Sequence, residues 1–166
     1  MNSPEPPFSA KVERCFSLGA STYQRSASLQ AAVATRLAGL ARPLASHLPP
    51  GPRADLGAGS GLLARAIEAQ LGGPSLLRLD ACGSLLEQEQ PPEHGLQRLW
   101  NLNQGLPEEL KGAGLLASSF ALQWLEKPEQ KLHSFLGEAF AHKRRRALRA
   151  PVTVAVAGCV ALARVR

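Results

Sequence analysis

Three glycines at alternate positions, Gly57, Gly59 and Gly61, stand in the stretch RADLGAGSGLLARAIEAQ between an acid, Asp55, and an apolar run with helical spacing. A second acid, Asp80, follows Gly61 by 19 residues and closes another apolar run, SLLRLDA. Glycine accepts positive φ and lets another molecule approach the bare backbone, so the cluster suits a tight strand-to-helix turn laid against a ligand. Taken alone, it suits a flexible loop equally well. Asp80 adds the second half of a fingerprint, because a carboxylate at the end of a second strand can accept both hydroxyl protons of a ribose. The pair points to a ligand that carries a nucleoside. No Ser-His-Asp or Cys-His pairing stands out, and His47, His94, His133 and His142 are scattered, so no catalytic acid or base and no metal site is assigned.

These residues need a strand, a turn and a helix to hold them, and the surrounding pattern supplies all three. Residues up to about Ser9 are Pro-rich and expected to be loose. Two helical stretches span Lys11 to Ala45, the second marked by Leu29, Val33, Leu37 and Leu40 at threes and fours and ended by Pro43 and PPGPR. A short first strand is expected at Arg53–Leu56, then the glycine turn and a helix at Leu62–Leu71. The second strand lies within Ser75–Ala81, and SLLEQEQ forms a short helix stopped by Pro91 and Pro92. LQRLWNL, Leu96 to Leu102, is the third strand, Gly114–Ser118 the fourth, and Pro128–Ala141 a helix. Strands alternating with helices predict an α/β fold with a parallel sheet covered on both faces, Rossmann-like, with the glycine turn at the switch point where such sheets bind ligands.

With 166 residues, 45% of them hydrophobic, the chain can bury one core and is too apolar for disorder. The start, MNSPEPPFSA, has neither the basic nor the apolar region of a signal peptide, and the run VTVAVAGCVALA has about a dozen residues, too few to span a bilayer. A cytoplasmic protein without membrane contact is the expectation. Cys15, Cys82 and Cys159 lack metal-like spacing and are expected to be buried thiols. The net charge of +6 suggests nucleic acid until it is located. Residues after Ala141 hold seven of the 19 Lys and Arg and none of the 13 acids, so the rest of the chain is close to neutral and nucleic-acid binding is not expected.

Dinucleotide sites read G-x-G-x-x-G, with the pyrophosphate on the helix N-terminus. The G-x-G-x-G spacing here disfavours a nicotinamide-dependent oxidoreductase. Preceded by Asp55, it resembles motif I of the class I S-adenosylmethionine-dependent methyltransferases. The resemblance implies S-adenosyl-L-methionine as cofactor, its methionine portion against Gly57, Ala58, Gly59 and Gly61, with Asp55 organising the loop. It implies Asp80 and the adjoining Ala81 at the ribose, Asn101 at the adenine amino group with Leu102 flanking the ring, and Ser118 at the end of strand four. Asn101 departs from the family's usual Asp, but its carbonyl can still accept from an adenine N–H.

A narrower resemblance, to the malonyl-acyl-carrier-protein O-methyltransferases of biotin synthesis, rests on two segments. In CFSLGASTYQRSASLQAAVATRL, Phe16, Ala20, Tyr23, Ala27, Gln30, Val33, Ala34 and Leu37 match that family's N-terminal signature. SSFALQWL, Ser118 to Leu125, is similar to its segment after strand four, with Gln123 and Trp124 matching the end. The family places Tyr23, Gln30, Gln123 and Trp124 near the substrate and implies malonyl-acyl carrier protein as partner, its free carboxyl methylated so that fatty-acid enzymes can elongate it. Transfer to a carboxylate needs no general base, only orientation and a cation to hold the acceptor.

Within that resemblance, residues 10–141 correspond to a partial cofactor-binding domain and residues 142–166 to an atypical basic and apolar tail. The family's C-terminal strands and lid are expected to be missing or replaced, with Val152–Ala157 or Val160–Val165 as an improvised strand five. A short chain of this kind is expected to bind cofactor poorly. Its alternative role is that of an inactive methyltransferase-like module that binds an acidic partner.

Overall fold

Among the described residues every strand runs parallel to its neighbours, in the order β3-β2-β1-β4-β5. The computed structural model describes residues 8–89, 96–141 and 154–157. The elements are α1 (Phe8–Ser26), α2 (Ser28–Ala41), β1 (Arg53–Leu56), α3 (Leu62–Leu71), β2 (Leu77–Asp80), α4 (Gly83–Leu86), β3 (Leu96–Leu99), β4 (Leu115–Ser119), α5 (Pro128–Ala141) and β5 (Val154–Ala157). Short 3-10 turns cover Arg42–His47, Leu102–Gln104, Glu108–Leu110 and Leu122–Trp124. Among the described residues no helix is long and apolar enough to cross a membrane.

Side chains along a strand alternate between the faces of the sheet, and this alternation builds two cores. Ala54 and Leu56 of β1, Leu79 of β2 and Leu116 of β4 pack with Phe135 and Ala139 of α5. Leu115 and Ala117 of β4 turn the other way and pack with Ala34 and Ala38 of α2 and Leu63, Ala64 and Ile67 of α3. The spacing of Ala34, Ala38 and Ala41 at four and three residues gives α2 a small-residue face that approaches closely. Asp55, Arg78 and Asp80 share this second face, which puts both acids and a buried arginine on the α3 side.

From β1 the chain steps outward through β2 to β3, then returns across β1 to place β4 on its other side. The carboxyl ends of β1 and β4 therefore diverge into a cleft. The expected bounds of β1, α3 and α5 coincide with those observed, β2 is the inner part and β3 the first part of longer expected runs, and β4 sits one residue later than expected.

Several expectations are corrected. Phe8 and Ser9 are not loose but open α1, while residues 1–7 lie outside the described residues. Cys15 is exposed rather than buried, Cys82 is buried, and Cys159 lies outside the described residues. Of the two candidates for strand five, the first supplies it: Val154–Ala157 pairs with Leu116–Ser119, so β4 is not the open edge. The rest of the 142–166 tail, with the prolines expected to end α4, lies outside the described residues.

Candidate functional site

The turn between β1 and α3 is pinned to the end of β2. Gly57 and Ala58 both donate their N–H to the Leu79 carbonyl at 2.7 and 2.9 Å, and Gly61 closes the turn onto the Ala58 carbonyl at 2.9 Å. Gly57, Gly59 and Gly61 all adopt positive φ, at 71°, 54° and 76°. Each lacks a side chain for a different reason. A Cβ at Gly57 would lie 2.1 Å from that of Ala121, and one at Gly61 2.5 Å from the Glu89 carboxylate. At Gly59 it would meet nothing within 4 Å, and Gly59 borders the cleft. Only Gly59 exposes bare backbone as a ligand-facing turn requires.

Asp80 anchors the tip of that turn. Its Oδ2 accepts from the Gly59 N–H and its Oδ1 from the Cys82 N–H, both at 2.8 Å. Burial raises its pKa above the ordinary carboxylate value, against the pull of these backbone N–H groups. Asp55 lies deeper, 1% exposed, with Oδ2 accepting from the Ala64 N–H at 3.0 Å. Burial pushes its pKa up to about 7, opposed by that N–H and by the charge of Arg78. Asp55 Oδ1, Ser60 Oγ, Gln30 Oε1 and Ser119 Oγ are buried without a hydrogen-bond partner among the described residues, and all four residues line the same cleft. Buried polar atoms are rarely left unpaired, so a cleft that gathers four of them is built for a polar ligand.

Most of the expected site residues meet here. Asp55, Gly57, Ala58, Gly59, Asp80, Ala81, Asn101 and Leu102 border the cleft, with Gln30 and Trp124 from the narrower signature. Asn101 caps the turn after β3, its carbonyl accepting from the Asn103 N–H at 2.9 Å and keeping a second lone pair. Three of the expected residues do not join them. Ser118 faces the α5 side and donates to the Leu56 carbonyl at 2.8 Å, and Ser119 borders the cleft in its place. Gly61 makes room for Glu89 rather than for a ligand, and Gln123 is exposed in its 3-10 turn away from the lining. Tyr23 lies on α1, and its side chain lies outside the description.

Apart from Trp124, the further lining residues had no site role assigned to them from the sequence. Phe16 and Val12 reach the cleft from α1, and Phe16 stands edge-on to Trp124 with ring centroids 5.9 Å apart. Trp124 is 41% exposed, and its Nε1 donates to the Phe120 carbonyl. Phe120 holds φ at 56°, a conformation costing a non-glycine residue roughly 1–2 kcal/mol and found mostly at functional sites. Trp100 is fixed by an Nε1 bond to the Gly105 carbonyl and by the Arg98 guanidinium 4.6 Å from its ring. Cys82 Sγ sits between the hydroxyls of Ser17 and Ser84. Asp55 and Asp80 are the only charged side chains among the described lining residues.

No family model and no curated protein matches the sequence. Solved structures do match the fold. Phosphoethanolamine N-methyltransferase 1 of Haemonchus contortus, in complex with phosphoethanolamine and S-adenosylhomocysteine, aligns with 89% of this chain at 18% identity and a TM-score of 0.58. The plantazolicin methyltransferase BpumL, in complex with S-adenosylhomocysteine, aligns with 90% at 12% identity and a TM-score of 0.56.

The chain shares the Rossmann-like α/β fold of these structures. It spans 31% of the length of the first of these proteins and 62% of the second. In this sheet the β1–α3 turn stands at the switch point between β1 and β4, with the acid ending β2 beside it.

Proposed function

We propose that the cleft binds S-adenosyl-L-methionine and that the protein is an S-adenosylmethionine-dependent methyltransferase. The observation that carries this reading is the meeting of Gly59, open on its cleft side, with Asp80 and the unpartnered Asp55 Oδ1 and Ser60 Oγ at the switch point. The donor set fits the cofactor. Its sulfonium and ammonium are cations, and the charged side chains of the described lining are both acids. Its ribose hydroxyls are donors, for which Asp80 has lone pairs left beyond its backbone bonds.

When bound, S-adenosylmethionine supplies an activated methyl group for in-line displacement by a nucleophile. The chain's part is to bind and orient. The bare backbone at Gly59 receives the methionine portion, Asp80 the ribose, and Asn101 with Leu102 the adenine. Phe16, Trp124 and Leu125 form an apolar wall that excludes water, and alignment of reacting groups contributes up to about 7–11 kcal/mol in the best cases.

The acceptor we infer is the malonyl carboxyl carried on acyl carrier protein. Its support is the sequence resemblance, together with the presence of Phe16, Gln30 and Trp124 from both signatures at one cleft. The cation that would hold the carboxylate has to come from outside the described lining residues. Incubating the purified chain with methyl-labelled S-adenosylmethionine and malonyl-acyl carrier protein tests this: base-labile label on the carrier is expected. Cofactor binding without label on that carrier would discard the acceptor and leave the cofactor reading standing.

A further inference from the structure

Behind the glycine turn, on the α3 face of the sheet, lies an ion cluster that the expected ligand contacts leave unused. Arg78 of β2, 1% exposed, donates from Nε to Glu89 Oε1 at 2.7 Å and from both terminal nitrogens to the Glu68 carboxylate of α3 at 2.8 Å. Glu89, 4% exposed, takes a further bond on Oε2 from Gln97 of β3 at 3.0 Å. Its Oε1 lies 3.5 Å from Arg65 Nη1 of α3, and that nitrogen donates to the Ser60 carbonyl at 2.8 Å. The carboxylate also fills the space a Gly61 side chain would occupy. Glu89 is therefore wedged under the turn and tied through Arg65 to its backbone, yet it does not border the cleft.

Buried ion pairs seldom add net stability, since apolar residues of similar volume often do as well. Their attested use is to select one arrangement among several. Here the arrangement selected is the path of Ser60 and Gly61, which sets where Gly59 and the Ser60 hydroxyl meet the cleft.

We propose that Glu89, held by Arg78, is a positioning residue for the glycine turn and sets cofactor affinity without touching the cofactor. The affinity half of this proposal rests on the cleft being the S-adenosylmethionine site. The bracing half does not.

Two measurements on the full chain separate them: hydrogen exchange of the hydrogen-bonded Gly57, Ala58, Gly59 and Gly61 amides against those of β4, and calorimetric affinity for S-adenosylhomocysteine. In Glu89→Ala the turn amides should exchange at least about tenfold faster while β4 amides hold, because a local opening is made easier without a global one. The same variant should bind S-adenosylhomocysteine about tenfold or more weakly, and Glu89→Gln, which keeps the wedge, should recover most of both losses. Should Glu89→Ala fail to fold, Arg78→Lys replaces it with the same expectation, since lysine keeps the charge and loses the fork. Uniform acceleration of turn and β4 amides, an unchanged turn, or no recovery in Glu89→Gln overturns the proposal. If the parent protein binds no S-adenosylhomocysteine, the cofactor reading fails and the exchange measurement alone decides the bracing.

Discussion

Replacing Asp55 with asparagine should make the protein more stable at neutral pH and its ligand site worse. Asp55 is 1% exposed, one of its oxygens has no partner among the described residues, and burial lifts its pKa from an ordinary 3.8 to about 7. Below pH 3.8 the group is protonated in both folded and unfolded chains, so its burial carries no ionisation cost. As pH rises from there towards 7, the unfolded chain releases the proton while the folded chain keeps it, and stability falls by about 1.4 kcal/mol per pH unit. The loss is complete above about pH 7 and amounts to roughly 4 kcal/mol. Asparagine does not titrate and can still accept from the Ala64 N–H. Its buried NH2 group, if unpaired, costs about 1–3 kcal/mol at every pH and so drops out of the trend. Urea unfolding at pH 4, 6 and 8 should therefore show Asp55→Asn gaining on the parent steadily with pH. A stability difference that is flat over that range, or that shrinks as pH rises, would refute the assigned environment of Asp55. The same variant should bind S-adenosyl-L-methionine more weakly above pH 7, where the parent cleft carries the Asp55 charge towards the cofactor's sulfonium and ammonium.

Perturbations at three further positions divide turn from ligand. Asp80→Ala removes acceptors for Gly59, Cys82 and the expected ribose. With charged hydrogen bonds at about 1.5–3 kcal/mol each, calorimetry should show affinity lowered at least about tenfold, and Asp80→Asn should lose less. Gly57→Ala should lower the melting temperature sharply, because its new methyl group lands on Ala121 at a positive φ. Gly59→Ala should cost only about 1–2 kcal/mol of backbone strain while weakening cofactor binding. Equal effects of the two alanines on stability and affinity would contradict the separate roles assigned to the two glycines.

The parallel α/β architecture was legible because hydrophobic period and punctuation agree locally: RADL, then glycines, then LLARAIEAQL mark β1, the turn and α3 to the residue. The two acids were legible for the same reason, Asp55 from its place just before the glycines and Asp80 from closing an apolar run. Residues whose role depends on distant partners were not. SLLRLDA reads as a strand closing on an acid, and nothing within it shows Glu68 and Glu89 converging on Arg78. Gly61 belongs to a glycine motif, yet its constraint comes from Glu89, 28 positions on. A shift of one residue in β4 exchanged Ser118 for Ser119, since neighbouring side chains face opposite sides of a sheet. Phe120 gave no sign of its left-handed backbone, which arises from the geometry of the loop after β4.

Whether this cleft takes S-adenosylmethionine is tested most directly by calorimetric titration of the folded chain with S-adenosylhomocysteine. The expected result is a single saturable site of modest affinity, with a dissociation constant on the order of 100 μM, equivalent to about 5 kcal/mol. It should be accompanied by a rise in melting temperature and abolished or much weakened by Asp80→Ala. No heat and no thermal shift at millimolar ligand in a folded sample, or saturable binding of a nicotinamide dinucleotide instead, would contradict it.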